Sequence, residues 1–266
     1  MALPRLYLVI KERANTRLNE FVEEKKVLKE VLYKVYKNPL GLLKRAIFKT
    51  LIAPFKYRKG TDYDAQKYWH DRFSKYGKTL TASGDEGLSE EENRHDYEQA
   101  VNTMMAVFRK ENIDFEQTQA LEIGCGTGFY TQLLHDLKVK SYTGADITDV
   151  LFPELRQKFP DYHFMQKDVT TEEIIAPPFD LIIMVDVIEH IVSKEKLAFA
   201  MKNVQRCLKN NGVFIISPIM EISKKHLFYL HSWTIKEIME NFPDEEYTFR
   251  ELMPFRQSAL LVIKKL

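Results

Sequence analysis

Apolar and polar positions divide the chain into two parts with different periodicities. From residue 118 onward, short apolar runs that end near a glycine or an aspartate alternate with helical segments. The run Phe179–Val185 is almost entirely apolar, which is typical of a strand buried on both faces. These repeats predict a doubly wound, mainly parallel sheet. The last two runs, 247–252 and 259–264, have no helix between them and therefore predict an antiparallel pair.

The first 60 residues have a helical apolar period instead. Between positions 18 and 35, apolar residues recur every three or four positions, and Asn38-Pro39 interrupts the pattern. A second stretch of this kind covers residues 40–52 and is expected to end at Pro54. Three segments are predicted in total: a basic amphipathic helical extension over 1–60, a cap or lead-in segment over 61–117, and a core over 118–266.

Charge is distributed unevenly between these segments. Residues 1–60 contain fifteen Lys or Arg and five Asp or Glu, a net charge of +10, whereas the whole chain carries only +1. The remaining residues are therefore net negative, and the asymmetry indicates an interaction surface on the basic segment. The two cysteines form no CxxC pair, which excludes a zinc signature and favours a reducing cytoplasm. We expect a cytoplasmic protein whose residues 1–60 are candidates for peripheral contact with the inner membrane face.

A glycine-rich turn follows the first predicted strand of the core. Residues 121–128 spell LEIGCGTG, and glycines there allow a tight turn and a close approach of backbone N–H groups to a ligand. Asp146 ends the next strand, where a carboxylate can accept hydrogen bonds from both hydroxyls of a ribose. Asp168 follows the third strand, where it can accept a hydrogen bond from an adenine amine. Alone, each aspartate would be better explained as a helix N-cap or a solvated loop residue.

Five segments carry a family resemblance. ALEIGCGTGFYT, GADIT, QKDVTT, FDLIIMVDVIEHI and LKNNGVFIISP resemble, in this order, the motifs of class I S-adenosylmethionine (SAM)-dependent methyltransferases. The resemblance covers about residues 97–266 and implies SAM as the cofactor. It also implies an α/β fold with a doubly wound, mainly parallel seven-stranded sheet and an antiparallel final strand, here preceded by the N-terminal helical extension. A dehydrogenase would usually show GxGxxG, which these glycines do not match.

The resemblance assigns cofactor contacts residue by residue. It implies that the glycine loop surrounds the methionine part of SAM, that Asp146 holds the ribose, and that Asp168 lines the adenine pocket. The complete implied set is Glu122, Gly124, Cys125, Gly126, Gly128, Asp146, Ile147, Asp168, Val169 and Asp186. Trp69 and Arg72, in KYWHDRF, resemble the aromatic-plus-basic segment that covers SAM in several family members, although core packing explains Trp69 equally well.

Asp186, Glu189 and His190 follow the fourth strand and are expected beside the transferable methyl. Their segment resembles the EVxEH stretch of ubiquinone-biosynthesis O-methyltransferases and of small-RNA 3′-end methyltransferases. In those families the acidic pair and the histidine can bind a divalent metal. Here an aspartate replaces the first glutamate and the spacing fixes no second histidine, so we expect no metal.

Three histidines are candidates for the acceptor side of the site. His190 is the first candidate for a general base, and His226 and His231 follow on the predicted loop after the fifth strand. The alternative is structural, with Glu189 and His190 shaping a helix start or filling the core.

The methyl acceptor is not fixed by the SAM motifs, because any suitable nucleophile can be brought in line with the methyl group. Our preferred hypothesis is O-methylation of a small-molecule or sugar hydroxyl in a glycan or natural-product pathway. The EH segment and the loop HLFYLHSWT both resemble such enzymes. RNA as the acceptor would suit the basic arm, yet the core is net negative and contains no RNA-binding module. A non-catalytic SAM-fold binding protein is the third hypothesis.

Overall fold

The computed structural model describes residues 38–266, so the helical pattern between positions 18 and 35 lies outside the described residues. The chain divides into two compact units, Met1–Ile52 and Ala53–Leu266. None of the helices within residues 38–266 is long and apolar enough to cross a membrane.

The described part of the first unit is helical, as the apolar period predicts. Helix α1 (Pro39–Ile47) is followed directly by a π-helical turn, Phe48–Ile52. The expectation that Pro54 ends the helical conformation is wrong. Pro54 lies within the short helix α2 (Ala53–Lys56). The π turn just before Pro54 already interrupts the regular hydrogen-bond ladder, so the missing proline N–H is tolerated there.

The second unit alternates helices and strands. After α2, its helices are α3 (Ala65–Tyr76), α4 (Leu80–Ser83), α5 (Glu90–Lys110), α6 (Phe129–Asp136), α7 (Phe152–Lys158), α8 (Lys194–Cys207) and α9 (Ile235–Met239). Its strands are β1 (Arg58–Lys59), β2 (Asp62–Tyr63), β3 (Gln119–Ile123), β4 (Ser141–Asp146), β5 (His163–Gln166), β6 (Phe179–Val185), β7 (Leu208–Ile219), β8 (Lys224–Leu227), β9 (Leu230–Ser232), β10 (Tyr247–Phe249), β11 (Met253–Phe255) and β12 (Ser258–Lys265).

The central sheet has the order β10-β12-β7-β6-β3-β4-β5, with β11 added beside β12. Strands β3 to β7 pair in parallel, whereas β12 is antiparallel to both β7 and β10. The predicted α/β fold is therefore confirmed, including the antiparallel strands at the end of the chain. The outer strand pair needs no crossover helix because a short connection suffices for antiparallel neighbours.

The middle strand β6 shows why the sheet is buried. Its successive side chains alternate between two hydrophobic clusters, with Leu181 and Ile183 in one and Ile182 and Met184 in the other. Strand side chains point alternately to the two faces, so the two clusters lie on opposite faces of the sheet. Because the strands are parallel, their carboxyl ends lie at one edge of the sheet. The predicted functional residues follow the strands at this edge.

The acidic run before the core begins a helix. Ser89 caps α5: its hydroxyl accepts a hydrogen bond from the backbone N–H of Glu92, and the Glu92 carboxylate accepts one from the N–H of Ser89 at 2.8 Å. Such a capping box satisfies two N–H groups that the first helical turn leaves without partners. The long helix α5 then leads from the cap segment into β3.

Candidate functional site

A cavity of about 970 Å³, its open mouth included, lies at the carboxyl ends of β3, β4, β5 and β6. Loops after parallel strands converge at this edge, which is where open α/β sheets bind ligands. Nine of the predicted cofactor positions line it: Glu122, Gly124, Cys125, Gly126, Asp146, Ile147, Asp168, Val169 and Asp186. The remaining one, Gly128, lies outside the cavity lining.

The three glycines of the turn after β3 all have a left-handed backbone, with φ of 79° at Gly124, 44° at Gly126 and 80° at Gly128. A Cβ atom at Gly124 would lie 2.1 Å from Cγ2 of Val187, and one at Gly128 would lie 2.5 Å from Cδ2 of Leu155. Both glycines are therefore required for conformation and for close packing. Gly128 serves the packing of the turn against α7 rather than the cavity.

Asp146 is tied to the glycine loop. One carboxylate oxygen accepts a hydrogen bond from the N–H of Gly126 at 2.9 Å, and the other accepts one from the N–H of Thr148 at 3.1 Å. Burial raises the pKa of this carboxyl to about 6. Each carboxylate oxygen can accept a further hydrogen bond, so the side chain has the capacity to hold two ribose hydroxyls.

The adenine side of the predicted site combines one fixed carboxylate with apolar walls. Asp168 accepts hydrogen bonds from the N–H of Thr170 at 2.9 Å and from its hydroxyl at 2.6 Å, which orients the carboxylate. Ile147 and Val169 line the same cavity and offer apolar surface. Together with Asp146 and the glycine loop, these residues fit a nucleoside attached to a small zwitterion, as SAM is.

Glu122 is a buried carboxyl at the base of the glycine loop. One of its oxygens accepts hydrogen bonds from the hydroxyls of Tyr142 at 2.5 Å and Thr131 at 2.9 Å. Burial raises the pKa of Glu122 to about 8, so the neutral carboxyl is favoured at neutral pH. A neutral carboxyl can donate one hydrogen bond as well as accept others.

His190 lies in the cavity wall, in the 3-10 turn Ile188–His190 that follows β6. Its Nδ1 is 3.2 Å from the carbonyl oxygen of Tyr229, which can only accept a hydrogen bond. The Nδ1 atom therefore carries the proton in the neutral ring, and Nε2 carries the lone pair. The ring packs edge-on against Trp69 at 4.7 Å, and Tyr63 donates a hydrogen bond to the backbone oxygen of His190 at 2.9 Å. These contacts fix the orientation that a general base requires.

Two acidic residues lie beside this histidine. Asp186 lines the cavity and forms an ion pair with Arg256. Glu189 has a buried Oε2 atom with no hydrogen-bond partner within residues 38–266. Burial and the nearby Asp186 raise the pKa of Glu189 well above its ordinary value, so its neutral form is favoured.

The other two predicted histidines lie away from the cavity, on the hairpin of β8 and β9. Nε2 of His226 is 2.7 Å from the hydroxyl oxygen of Ser232, and Nε2 of His231 is 3.3 Å from that of Ser223. The His231 ring also packs against Trp233 at 4.0 Å. Of the three candidates, the structure brings only His190 into the cavity lining.

Trp69 and Arg72, the aromatic and the basic residue of the segment in α3, make different contacts. Trp69 lines the cavity and contacts His190. Arg72 instead donates hydrogen bonds to the carbonyl oxygens of Thr81 at 3.1 Å and Gly84 at 2.5 Å. It therefore fixes the chain around α4.

Sequence reasoning missed several residues near the cavity, among them two tyrosines and an arginine. Tyr97 and Tyr130 line it, and Arg256 lies over the Tyr97 ring at 5.6 Å. The Tyr97 hydroxyl donates to Ser83 at 3.1 Å, whereas the buried Tyr130 hydroxyl has no hydrogen-bond partner in the described part of the chain. Tyr130 could have been found, because it is the second residue of the helix after the glycine loop.

Within residues 38–266, no group of three or more His, Cys, Asp or Glu side chains is arranged to hold a metal ion.

Part of the chain that lines this cavity matches a known domain family. Residues 121–214 match the family described as "Methyltransferase domain". The malonyl-[acyl-carrier protein] O-methyltransferase of Haemophilus ducreyi is 26% identical over 137 residues, 49% of this chain and 52% of that protein. A hybrid PKS-NRPS synthetase, iliA, of Neonectria sp. (strain DH2) is 28% identical over 131 residues, 45% of this chain. The chain spans only 3% of that synthetase and about half of the former protein.

Solved structures share the fold at low sequence identity. Magnesium protoporphyrin IX methyltransferase of Synechocystis PCC 6803, with bound SAM, superposes with a TM-score of 0.58 at 16% identity, covering 78% of this chain and 100% of that one. A DhpI complex with S-adenosylhomocysteine (SAH) superposes with a TM-score of 0.56 at 15% identity, covering 75% and 94%. These similarities support the fold.

Proposed function

We propose that the protein transfers the methyl group of SAM to an oxygen of a small molecule or sugar, from the premise that residues 121–214 match a methyltransferase domain and that the chain shares the fold of a SAM-bound methyltransferase. The observation that carries the proposal is the bond between Asp146 and the N–H of Gly126. It joins a buried carboxylate to the glycine loop at the strand edge, so one rigid unit can bind both the ribose and the amino-acid part of the cofactor.

An oxygen acceptor is supported by one relative and by one side chain. The relative from Haemophilus ducreyi is named as an O-methyltransferase that acts on malonyl-[acyl-carrier protein]. In this chain, the hydrogen bond from Nδ1 of His190 to the Tyr229 carbonyl leaves the lone pair on Nε2. A hydroxyl acceptor gains from proton removal, for which this nitrogen is suited, whereas a neutral amine needs no base.

SAM, when bound, supplies a methyl group already activated on a sulfonium. The protein needs to orient the acceptor and exclude water. Tyr63 and Trp69 line the cavity beside His190 and offer an aromatic wall against which the acceptor can be oriented. We assign to His190 Nε2 the removal of the hydroxyl proton as the acceptor oxygen bonds to the methyl carbon, while the S–CH₃ bond breaks and SAH is left as the thioether product. Asp186 supplies the acidic side chain at the polar end of the cavity, whereas Glu189 lies outside the cavity lining. Residues 1–60 provide peripheral contact with a membrane face.

A labelled-methyl assay tests the acceptor class. The purified chain is incubated with methyl-labelled SAM and, separately, with a panel of phenols and sugars, a panel of carboxylic acids, and tRNA. We expect label in a phenol or sugar product that resists mild alkali, because ethers resist it and methyl esters do not. Alkali-labile label would identify a carboxylate acceptor, label in tRNA would contradict the small-molecule proposal, and failure of SAM to bind would contradict the enzyme assignment itself.

A further inference from the structure

The described helix of the first unit exposes large apolar side chains to solvent. Six of them are exposed between positions 40 and 52: Leu40, Leu43, Ile47, Phe48, Leu51 and Ile52. Leu40 is 70% exposed and Leu51 is 62% exposed, so these side chains are far from buried. Single exposed apolar residues are ordinary on protein surfaces, but contiguous apolar patches mark interaction sites.

These side chains form a stripe with helical spacing. Leu40, Leu43, Ile47 and Leu51 follow each other at intervals of three or four residues, and this spacing places side chains on one helix face. We call the six residues the apolar stripe. In α8, apolar residues with the same spacing, Leu197 and Met201 among them, are buried in the core. The apolar stripe therefore has the pattern of a core-facing helix but contacts solvent.

The charge around the apolar stripe has one sign. No Asp or Glu occurs from residue 39 to residue 61, while this range contains six Lys or Arg. Lys44 and Arg45, within α1, have no acidic side chain at ion-pair distance in the described part of the chain. Pairing with a second copy of this surface would bring like charges together, which is unfavourable. An anionic surface with an apolar interior complements both features.

We propose that the apolar stripe inserts into the interface of an anionic lipid bilayer, with Lys44 and Arg45 directed to the headgroups. An amphipathic helix of this kind lies in the interface plane, its apolar face about 5–10 Å deep. Each cation near an anionic bilayer strengthens binding by about a factor of five. This surface is independent of the SAM cavity and of the methyl acceptor.

Co-sedimentation of the full chain with lipid vesicles tests the proposal. One vesicle preparation contains phosphatidylcholine alone, and the other contains phosphatidylcholine and phosphatidylglycerol in a roughly two-to-one ratio, which gives an anionic surface. We expect binding to the anionic vesicles, little binding to the neutral ones, and weaker binding as added salt screens the charges.

Two double variants test the two components of the surface. L43E/L51E should reduce binding to anionic vesicles at least tenfold, because charged groups replace the inserted side chains. K44E/R45E should reduce it at least about thirtyfold, since two cations are removed and two anions are added. The matched controls are Ile175→Glu, at an apolar side chain that is 88% exposed in the second unit, and R109E/K110E, an adjacent basic pair at the end of α5. Both controls should bind vesicles like the unmodified chain.

Three results would overturn the proposal. The first is no sedimentation with either vesicle at low salt. The second is vesicle binding that L43E/L51E leaves unchanged, which would assign the contact to another surface. The third is a dimer, detected by light scattering, that L43E/L51E dissociates, which would make the apolar stripe a self-association surface. Retained SAM binding excludes misfolding of the second unit as the cause of lost vesicle binding, and an unchanged helical circular-dichroism signal excludes it for the first.

Discussion

Asp186 and Arg256 form an ion pair in which both members have a left-handed backbone, with φ of 58° and 54°. This conformation costs a non-glycine residue on the order of 1 kcal/mol or more. Asp186 directly follows β6, and Arg256 lies in the turn between β11 and β12. Two strained positions far apart in sequence are thus joined through their side chains beside the cavity, and the ion pair offsets the strain.

We predict that Arg256→Met destabilises the protein by about 3 kcal/mol, because it leaves the Asp186 carboxylate buried without its counter-charge. This value is at the lower end of the range for a buried ion pair, since the side chains of Arg256 and Asp186 remain 20% and 18% exposed. Denaturant unfolding gives the free energy. Adding Asp186→Asn to Arg256→Met should recover part of the loss, because the unpaired charge is then removed.

The exposed pair of Arg94 and Glu90 provides the control for this prediction. Its side chains are 55% and 41% exposed, so Arg94→Met should cost less than about 0.5 kcal/mol. Equal effects of the two arginine substitutions would show that the pair with Asp186 contributes no more than a surface contact.

Cofactor binding should depend on the ionisation of Asp146. Burial raises the pKa of this carboxyl to about 6 in the folded protein, and the ionised form is the one that accepts ribose hydrogen bonds. SAM affinity should therefore rise from pH 5 to pH 7, by up to about tenfold per pH unit below the pKa. Calorimetry at successive pH values measures this dependence.

Variants of two neighbouring aspartates separate this effect from general acid sensitivity. Asp146→Ala should weaken SAM binding by about 1.5–3 kcal/mol, and Asp146→Asn should flatten the pH profile. The exposed Asp149, three positions away, is the control, and Asp149→Asn should keep the profile of the unmodified chain. An unchanged profile in Asp146→Asn would contradict the ribose assignment.

The sequence predicts the sheet and the cofactor edge for the same physical reason. Parallel strands buried on both faces leave long apolar runs such as Phe179–Val185, and residues that follow such strands must meet at one edge. Asp146, Asp168 and Asp186 could therefore be placed in one cavity from their positions alone. Their roles toward SAM stay predictions.

The acceptor side could be predicted only in part, because it depends on tertiary structure. Arg256 lies near the cavity only because β12 pairs with β7. The sequence of the turn between β11 and β12 does not indicate this pairing. His226 and His231 follow the fifth parallel strand as expected, but the hairpin of β8 and β9 places them next to serines. The hairpin register decides this, and it cannot be derived from the order of strands and helices.

His190 should affect methyl transfer more than cofactor binding. We predict that His190→Ala lowers turnover by a factor on the order of 10², because the oriented Nε2 no longer removes the acceptor proton, while SAM affinity stays nearly unchanged. Turnover is measured with methyl-labelled SAM and the hydroxyl acceptor found in the screen. His226→Ala, at a histidine outside the cavity lining, should retain activity.

A different outcome for His190→Ala would identify a structural role. The ring packs against Trp69 and Tyr229, so loss of folding or of SAM binding would assign it to packing. His190→Gln, which preserves more of the side-chain volume, then serves as the second test. Full activity in the glutamine variant would remove His190 from the proton transfer.

Tyr130 and Tyr142 are both buried, with exposed fractions of 5% and 3%, but within residues 38–266 only Tyr142 has hydrogen-bond partners for its hydroxyl. Tyr130 lines the cavity, and its buried hydroxyl has no hydrogen-bond partner within residues 38–266. A buried hydroxyl left unbonded costs about 1–3 kcal/mol. Tyr130→Phe should therefore leave the ligand-free protein as stable as before or more stable, by up to about 2 kcal/mol, when unfolding is measured in denaturant.

Tyr142→Phe is the matched opposite, because it removes a hydroxyl that donates to Glu122 at 2.5 Å. It should destabilise the protein by about 1–3 kcal/mol, since a buried carboxyl oxygen then loses a donor.

If the Tyr130 hydroxyl serves the acceptor, Tyr130→Phe should also lower kcat/KM for the acceptor while SAM affinity holds. Together these two results would indicate that the Tyr130 hydroxyl serves to bind the acceptor. Packing alone would favour phenylalanine at this position. Destabilisation of the ligand-free protein by Tyr130→Phe, to the same extent as by Tyr142→Phe, would show that the hydroxyl is already satisfied and would remove it from the acceptor site.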